Sequence, residues 1–305
     1  MENLKQTTAQ ISLWRKFGFY LSGVFVLLAL LGLYINGINF GLDFTGGYLA
    51  EFNTSQQYTN KEMNQWLSQY LPGAFQVTSA EGGTFWSVMQ PDNAASLKGK
   101  AWLENFAESA GISLVPLDAI YIGSQIGSEL IDQGGLALLT ALIVILVYIS
   151  IRFEWRLATG AVLALFHDVL VVLGIFAWLK IPFDLTTLAS VLAIIGYSLN
   201  DSIIVGDKIR ELMKLQNGRL LNDIINNAIK ATIVRTFITS GTTLATVVAI
   251  WLYAGVSLSG FAIALFIGDL VGTFSSIAIA ATVPQFLGLT ADYFQKAEEE
   301  VCPLP

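Results

Sequence analysis

The chain has 305 residues, 54% of them hydrophobic and 13% charged, with a net charge of −7 and a mean hydropathy of +0.62, whereas a soluble domain carries roughly 25% charged residues. So apolar a composition excludes a soluble globular enzyme and a disordered chain, and the acidic balance leaves no basic face for nucleic acid. One His and one Cys exclude a disulfide framework and a His/Cys metal site built by this chain alone, and GxxxxGKS/T, HExxH and GxSxG are all absent. The expectation is a polytopic α-helical membrane protein that is not an enzyme, with no metal and no cofactor.

A bilayer core of about 30 Å needs roughly 20 apolar residues per helix, and six stretches meet that requirement. The first runs from Phe17 to Ile35. Its apolar run is too long for a signal peptide, and Asn-Gly-Ile-Asn follows it in place of a small-residue cleavage site, so it is read as a retained helix. Residues 43–133 are polar enough to fold in water. Tyr48–Thr54 alternates as a strand, and Asn60–Leu71 has helical periodicity behind an N-cap at Thr59. Phe75–Ser79 and Thr84–Gln90 read as strands around the turn Glu81-Gly82-Gly83. Ala94–Ala110 reads as a helix ended by Gly111, and Ile112–Ile122 contains a fourth strand. The order β-α-β-β-α-β is the ferredoxin-like signature, and its scattered carboxylates read as a solvated surface. The remaining spans are Gly134–Ile151, Leu157–Leu179, Leu185–Gly206, Ile233–Ala254 and Ser259–Val283, and the last residues, from Ala297, read as a disordered tail in which Cys302 has no assigned role.

With the N-terminus inside, twelve Lys and Arg residues fall on the inner side, Arg15 and Lys16 among them, and four on the longer outer side. The positive-inside rule therefore places both termini in the cytoplasm. The domain boundaries expected are residues 1–16 for an N-terminal segment, 17–35 for the first span, 36–133 for the outer domain with its connections, 134–283 for spans two to six and 284–305 for the C-terminal tail.

A charge at the centre of a membrane helix costs roughly 2.5–3.5 kcal/mol, so ionisable residues within spans are functional candidates. Asp201 stands in Gly196-Tyr197-Ser198-Leu199-Asn200-Asp201-Ser202, with Ser198 one turn before it on the same face. A carboxylate desolvated there, yet within reach of a guanidinium, can take up and release a proton, and Arg235 is the guanidinium to pair with it. The alternatives are a polar contact between helices for Asp201 and snorkelling to the headgroups for Arg235. His167 and Asp168 form either a relay or a polar packing contact, and adjacent residues point about 100° apart on a helix, so no direct bond between them is expected. Asp269 has a coupling role or none, beside the small-residue run Gly272-Thr273-Phe274-Ser275-Ser276, and Asp207 reads as an interfacial charge. Ser198, Asn200 and Ser202 supply oxygens that suit Na+ as well as H+ as the coupling ion.

Several blocks, in this order, resemble the SecF family, the smaller membrane subunit of the SecDF protein-export complex: Phe40-Gly41-Leu42-Asp43-Phe44-Thr45-Gly46-Gly47, then residues 122–130, Arg152-Phe153-Glu154-Trp155-Arg156, His167-Asp168, the run from Gly196 to Glu211, Arg235-Thr236, and Gly272-Thr273-Phe274-Ser275-Ser276. The resemblance covers roughly residues 15–290. It implies a six-helix half of a resistance-nodulation-division-like transporter with one ferredoxin-like periplasmic domain, in the bacterial inner membrane. It implies SecD as partner, work with the SecYEG translocon, YajC, YidC and translocating preproteins, and use of the proton-motive force after SecA has started translocation. By position in the motif, Asp201 would carry the proton and Arg235 modulate it, while position 269 would hold an apolar residue. Asp43, Gly46 and Gly47 are read as a joint between helix and domain, or as a tight turn onto the first strand. The alternatives are a half-transporter exporting a small molecule or lipid by proton antiport, and a scaffold subunit that couples nothing.

Overall fold

A computed structural model of the chain describes residues 11–71, 75–80, 82–91, 101–215, 219–254, 258–291 and 293–294, without the side chains of 122 and 124–128. Glu81, residues 94–100 of the second outer-domain helix, Lys5, Lys296 and the tail with Cys302 lie outside the described residues. In chain order, α1 (Leu13–Asn36) leads through the one-turn α2 (Leu42–Thr45) to β1 (Gly47–Thr54), α3 (Asn60–Tyr70), β2 (Gln76–Ala80), β3 (Phe85–Pro91), α4 (Ala101–Ala110) and β4 (Leu114–Ile122). Then come α5 (Ser124–Arg152), α6 (Trp155–Leu179), α7 (Leu185–Leu215), α8 (Leu221–Tyr253) and α9 (Ser259–Ser275), which runs into a π-helical turn, Ser276–Ala280, before the short α10 (Val283–Phe286).

Among the described residues, six helices are long and apolar enough to cross a membrane: α1, α5, α6, α7, α8 and the α9–α10 stretch. Several outrun the apolar windows that reveal them. α1 starts at Leu13 and takes in Arg15 and Lys16, α5 starts at Ser124, α7 continues to Leu215, and α8 starts at Leu221. Apolarity marks the part of a helix immersed in lipid, whereas the backbone hydrogen-bond ladder continues into the polar turns beyond it. In α6, α7 and the last span half of the apolar stretch is buried within the chain, against 6% in α5 and 17% in α8, so α5 and α8 keep broad apolar faces outside the bundle.

The four strands form one antiparallel sheet in the order β2-β3-β1-β4. The two strands joined by each helix therefore lie one strand apart, the split β-α-β arrangement. Alternation on β1 sends Ala50, Phe52 and Thr54 to one face. There they pack with Trp86 and Val88 of β3 under Met63 and Leu67 of α3 and Trp102, Leu103 and Phe106 of α4. The N-cap at Thr59 is a full capping box, with the Glu62 amide donating to Thr59 Oγ1 and the Thr59 amide donating to Glu62. The other face of the sheet, with Leu49, Glu51, Ser87 and Met89, borders a cleft of about 240 Å³ against Ile181, Pro182, Asp184 and Gly260 at the near ends of the membrane helices.

Glu51 on β1 is opposite Asp118 on β4. Burial first, and the Asp118 charge second, push the Glu51 carboxyl above the usual carboxylate range. A carboxyl raised in the folded state favours folding below its unfolded value of about 4.3 and loses that contribution as pH rises through the raised value. Glu51→Gln is therefore expected to protect β1 and β4 amides more than wild type at pH 7, by about 0.2–1 kcal/mol for removing a facing like charge. The gain should vanish near pH 4, and hydrogen exchange on the full chain at both pH values, corrected for intrinsic rates, reads it. Equal gains at both pH values would count against the electrostatic cause.

Candidate functional site: buried carboxylates in the bundle

Asp168 on α6 is completely buried. Its Oδ2 accepts hydrogen bonds from Ser198 Oγ of α7 at 2.5 Å and Ser275 Oγ of α9 at 2.8 Å. Its Oδ1 lies 2.9 Å from His167 Nδ1. Two expectations are corrected here. His167 and Asp168 do bond each other: in a dry interior the two side chains swing across the angle between their Cα–Cβ bonds, because leaving both polar groups unpaired costs more. Ser198 serves Asp168 on the neighbouring helix and not Asp201 on its own, because Gly272 lets α9 and α7 close around it; a Cβ at 272 would lie 3.3 Å from Ser198 Cβ and 3.5 Å from Asp168 Oδ2.

Asp201 is 1% exposed and neither of its oxygens has a hydrogen-bond partner among the described residues. Ser202 is buried beside it in sequence, also with an unpaired hydroxyl, while Asn200 turns outward and is exposed. Three helical residues in a row cannot share one face, which is why only part of the Asn200-Asp201-Ser202 run faces inward. Arg235 lies fourteen residues into α8 from Leu221, and Asp201 fourteen residues before Leu215 of α7, so they share a depth. The expected ion pair is absent: among the described residues Arg235 makes no ion pair, its side chain is exposed, and its charge reaches Asp201 through the field alone. α8 carries the guanidinium on its outward face with Val234, Phe237 and Ile238, which keeps the two groups apart.

Asp269 on α9 is 3% exposed, again with both oxygens unpaired. The Tyr197 hydroxyl faces it without reaching hydrogen-bonding geometry, and the Asp201 charge acts on it. The bundle thus holds two kinds of buried carboxylate. Asp168 is saturated by protein donors, whereas Asp201 and Asp269 are not. A saturated carboxylate holds helices in place, while an unsaturated one has capacity left for an ion or a moving donor. Among the described residues no three of His, Cys, Asp and Glu gather to hold a metal ion.

Between bundle and sheet the chain makes a tight turn at Gly46 and Gly47, and Asp43 just before it reaches α7. Gly46 and Gly47 have φ of +69° and +141°, and a Cβ at Gly47 would overlap the Gln90 carbonyl oxygen of β3. Asp43 Oδ2 accepts from the Leu185 amide at 3.0 Å, and Asp184 Oδ1 accepts from the Thr187 amide at 2.7 Å. Two carboxylates therefore cap α7, one from each side of the joint. The backbone of 39–41 pairs with Phe183: Gly41 N donates to Phe183 O at 2.8 Å and Phe183 N to Asn39 O at 2.7 Å. The helix that carries Asp201 thus begins at the joint itself.

Asp207, a partly exposed charge, pairs with the equally exposed Arg152 of α5 at 2.7 Å. One charge is placed differently from its sequence reading. Arg15 is no flanking loop charge. It is fully buried and donates to Ser12 Oγ at 3.0 Å, Asn222 Oδ1 at 2.5 Å, Gln285 Oε1 at 3.1 Å and the Ala281 carbonyl at 3.4 Å. Sequence reasoning counted it only for topology. The polar Asn222 and Gln285, on segments far away in the chain, were the only signal that a partner set existed.

A bundle of six long apolar helices with carboxylates buried inside it, joined to an α+β domain, defines a multi-pass membrane protein. The sequence matches the family described as "Protein export membrane protein SecD/SecF, C-terminal" over residues 103–289 and the "SecD/SecF GG Motif" over residues 32–57, which takes in Gly46 and Gly47. It is 38% identical over 293 residues to the protein translocase subunit SecF of Vibrio alginolyticus, covering 94% of this chain and 92% of that one. It is 37% identical to the SecF subunit of Pseudomonas aeruginosa over 293 residues and 95% of each chain. The crystal structure of SecDF, a translocon-associated membrane protein, from Thermus thermophilus superposes with a TM-score of 0.77 at 31% identity over 90% of this chain, which spans 38% of that one. The chain belongs to the SecD/SecF family of protein-export membrane proteins, on its SecF side.

Proposed function

We propose that the chain is the SecF-type half of a SecDF complex in the bacterial inner membrane, both termini cytoplasmic. In this reading it uses the proton-motive force, or a Na+ gradient, to help secretory proteins across after SecA and SecYEG have begun to move them. SecD supplies the other six helices, and YajC and YidC are further neighbours. The observation that carries the reading is Asp201: buried within the bundle, without a hydrogen-bond donor among the described residues, on the helix whose first turn is capped by the joint to the outer domain. The exposed Arg235 supports the partner. A guanidinium among Val234, Phe237 and Ile238 on an open α8 face is costly against lipid, by roughly 2.5–3.5 kcal/mol at a span's centre, and a second bundle covering that face would enclose it.

In the mechanism, an ion arriving at Asp201 cancels its charge and with it the attraction to Arg235 and to the partner's polar groups. α7 then repacks, and its capped end moves the outer domain. One charge crossing 100 mV supplies about 2.3 kcal/mol, and each pH unit about 1.4 kcal/mol, enough to bias a transition of a few kcal/mol.

The test uses membrane vesicles holding this chain and its partner, with a preprotein stalled midway after ATP-driven translocation. An imposed ion gradient is expected to complete export in wild type and to fail in Asp201→Asn at equal abundance. If both complete equally, the chain is a scaffold and the coupling reading is wrong.

A further inference from the structure

Gly268 of α9 lies against Ile194 of α7, and Gly272 lies against Ser198. Both pairs step by four residues, so α7 and α9 run side by side from the sheet-domain end in matched register. Three residues of helix rise about 4.5 Å, which puts Asp269 that far to the sheet-domain side of the Gly272–Ser198 level and Asp201 the same distance beyond it. About 9 Å of depth therefore separates the two residues, and Asp269 is the outer one. Tyr197 stands between them, one turn from Asp201 on the same face of α7. Long side chains on a helix lean toward its N-terminus, here the sheet-domain end, and the Tyr197 hydroxyl is accordingly the group that faces Asp269.

Four carboxylate oxygens, the Tyr197 hydroxyl and the Ser202 hydroxyl are all buried, and among the described residues all lack a hydrogen-bond partner. So many unsatisfied oxygens along one helix pair are costly unless something positive visits them. The charged groups on the neighbouring elements do not fill that role. On α6, Asp168 is saturated and His167 bonds it through Nδ1, leaving its Nε2 unpaired. On α8, Arg235 acts at the depth of Asp201.

We propose that Asp269, with the Tyr197 hydroxyl, is an outer station for the coupling cation, occupied on its way from the sheet-domain side to Asp201. This rests on the reading of Asp201 as the coupling carboxylate. A proton held on Asp269 passes to the Tyr197 oxygen as that hydroxyl releases its own proton to a water in the gap below it, which delivers a proton to Asp201, so only O–H bonds break and form. A sodium ion would use the same oxygens as hard ligands.

The experiment is the stalled-export assay with this chain and its partner, driven in one arm by a pH gradient without Na+ and in the other by a Na+ gradient at equal pH. In whichever arm drives wild type, Asp269→Asn is expected to raise the ion concentration for half-maximal completion at least about tenfold, one pH unit in the proton arm. Asp269→Glu should return it to within about threefold, about half a pH unit. If Asp269→Asn keeps the wild-type midpoint while Asp201→Asn fails, the outer station is wrong and the coupling at Asp201 stands. If neither gradient drives wild type, the coupling reading falls and the station falls with it. If Asp269→Asn and Asp269→Glu both lose the partner on purification, Asp269 is a packing residue and the proposal is overturned.

Discussion

An Asp168→Ala chain is expected to lose about 3–5 kcal/mol of stability, the range for removing one partner from a buried charged network. Asp168→Asn should lose clearly less. Asp168 ties three helices at one point: Ser198 of α7 and Ser275 of α9 donate to it, and His167 of α6 meets its other oxygen. Truncation leaves the Ser198 hydroxyl and a His167 ring nitrogen without partners, each at about 1–3 kcal/mol when buried, while the Ser275 hydroxyl falls back on the Gly272 carbonyl at 3.1 Å. The bilayer offers no water to replace the lost bonds. An Asn side chain keeps the shape and one carbonyl acceptor, so at least one serine bond survives. The measurement is the temperature at which the chain in detergent loses its monodisperse fold. An Asp168→Ala chain as heat-resistant as wild type would refute the tie. The same contrast separates structure from coupling: at matched abundance, Asp168→Asn should keep the gradient response that Asp201→Asn loses.

That Asp168, Asp201, Arg235 and Asp269 stand within long apolar helices was legible in the sequence, but the identity of their partners was not. Hydropathy located Asp168, Asp201, Arg235 and Asp269 inside spans, because a charge interrupting an apolar run is visible in one dimension. Partners depend on which helices touch, and that was set by glycines whose effect is only spatial. Gly272 brings Ser198 to Asp168, so the serine one turn from Asp201 is spent elsewhere. The outer domain was easier to read. Its strands alternate, Thr59 caps α3 and Gly111 ends α4 with φ of +66°, and such local signals need no knowledge of neighbours. Arg15 was the hardest to read. A guanidinium next to an apolar run usually marks the membrane edge, and its burial depends on Asn222 and Gln285, more than two hundred residues away along the chain.

The second large effect is expected at Gly174. A Cβ placed there would overlap both Cα and Cβ of Ala29 on α1 and lie 3.1 Å from the Ala29 carbonyl carbon. Backbone atoms cannot swing aside as a long side chain can, so Gly174→Ala must push α1 away from α6. A gap of 0.5–1 Å forfeits a quarter to a half of each contact along the seam, and overpacking of this kind costs about 1–3 kcal/mol or more. The same seam holds the Trp178 Nε1 bond to the Leu28 carbonyl at 2.8 Å, which should weaken with it. Gly23 provides the control, since a Cβ there meets nothing within 4 Å, and Gly23→Ala should leave the chain unchanged. Heating both variants in detergent distinguishes them: an early loss for Gly174→Ala alone is the expected result, and equal midpoints would mean that α1 is not held by this contact. α1 also leads directly into the joint at Gly41–Gly47. A displaced α1 should therefore loosen the Phe183 pairing as well, read as faster hydrogen exchange at the Gly41 and Phe183 amides in Gly174→Ala than in Gly23→Ala.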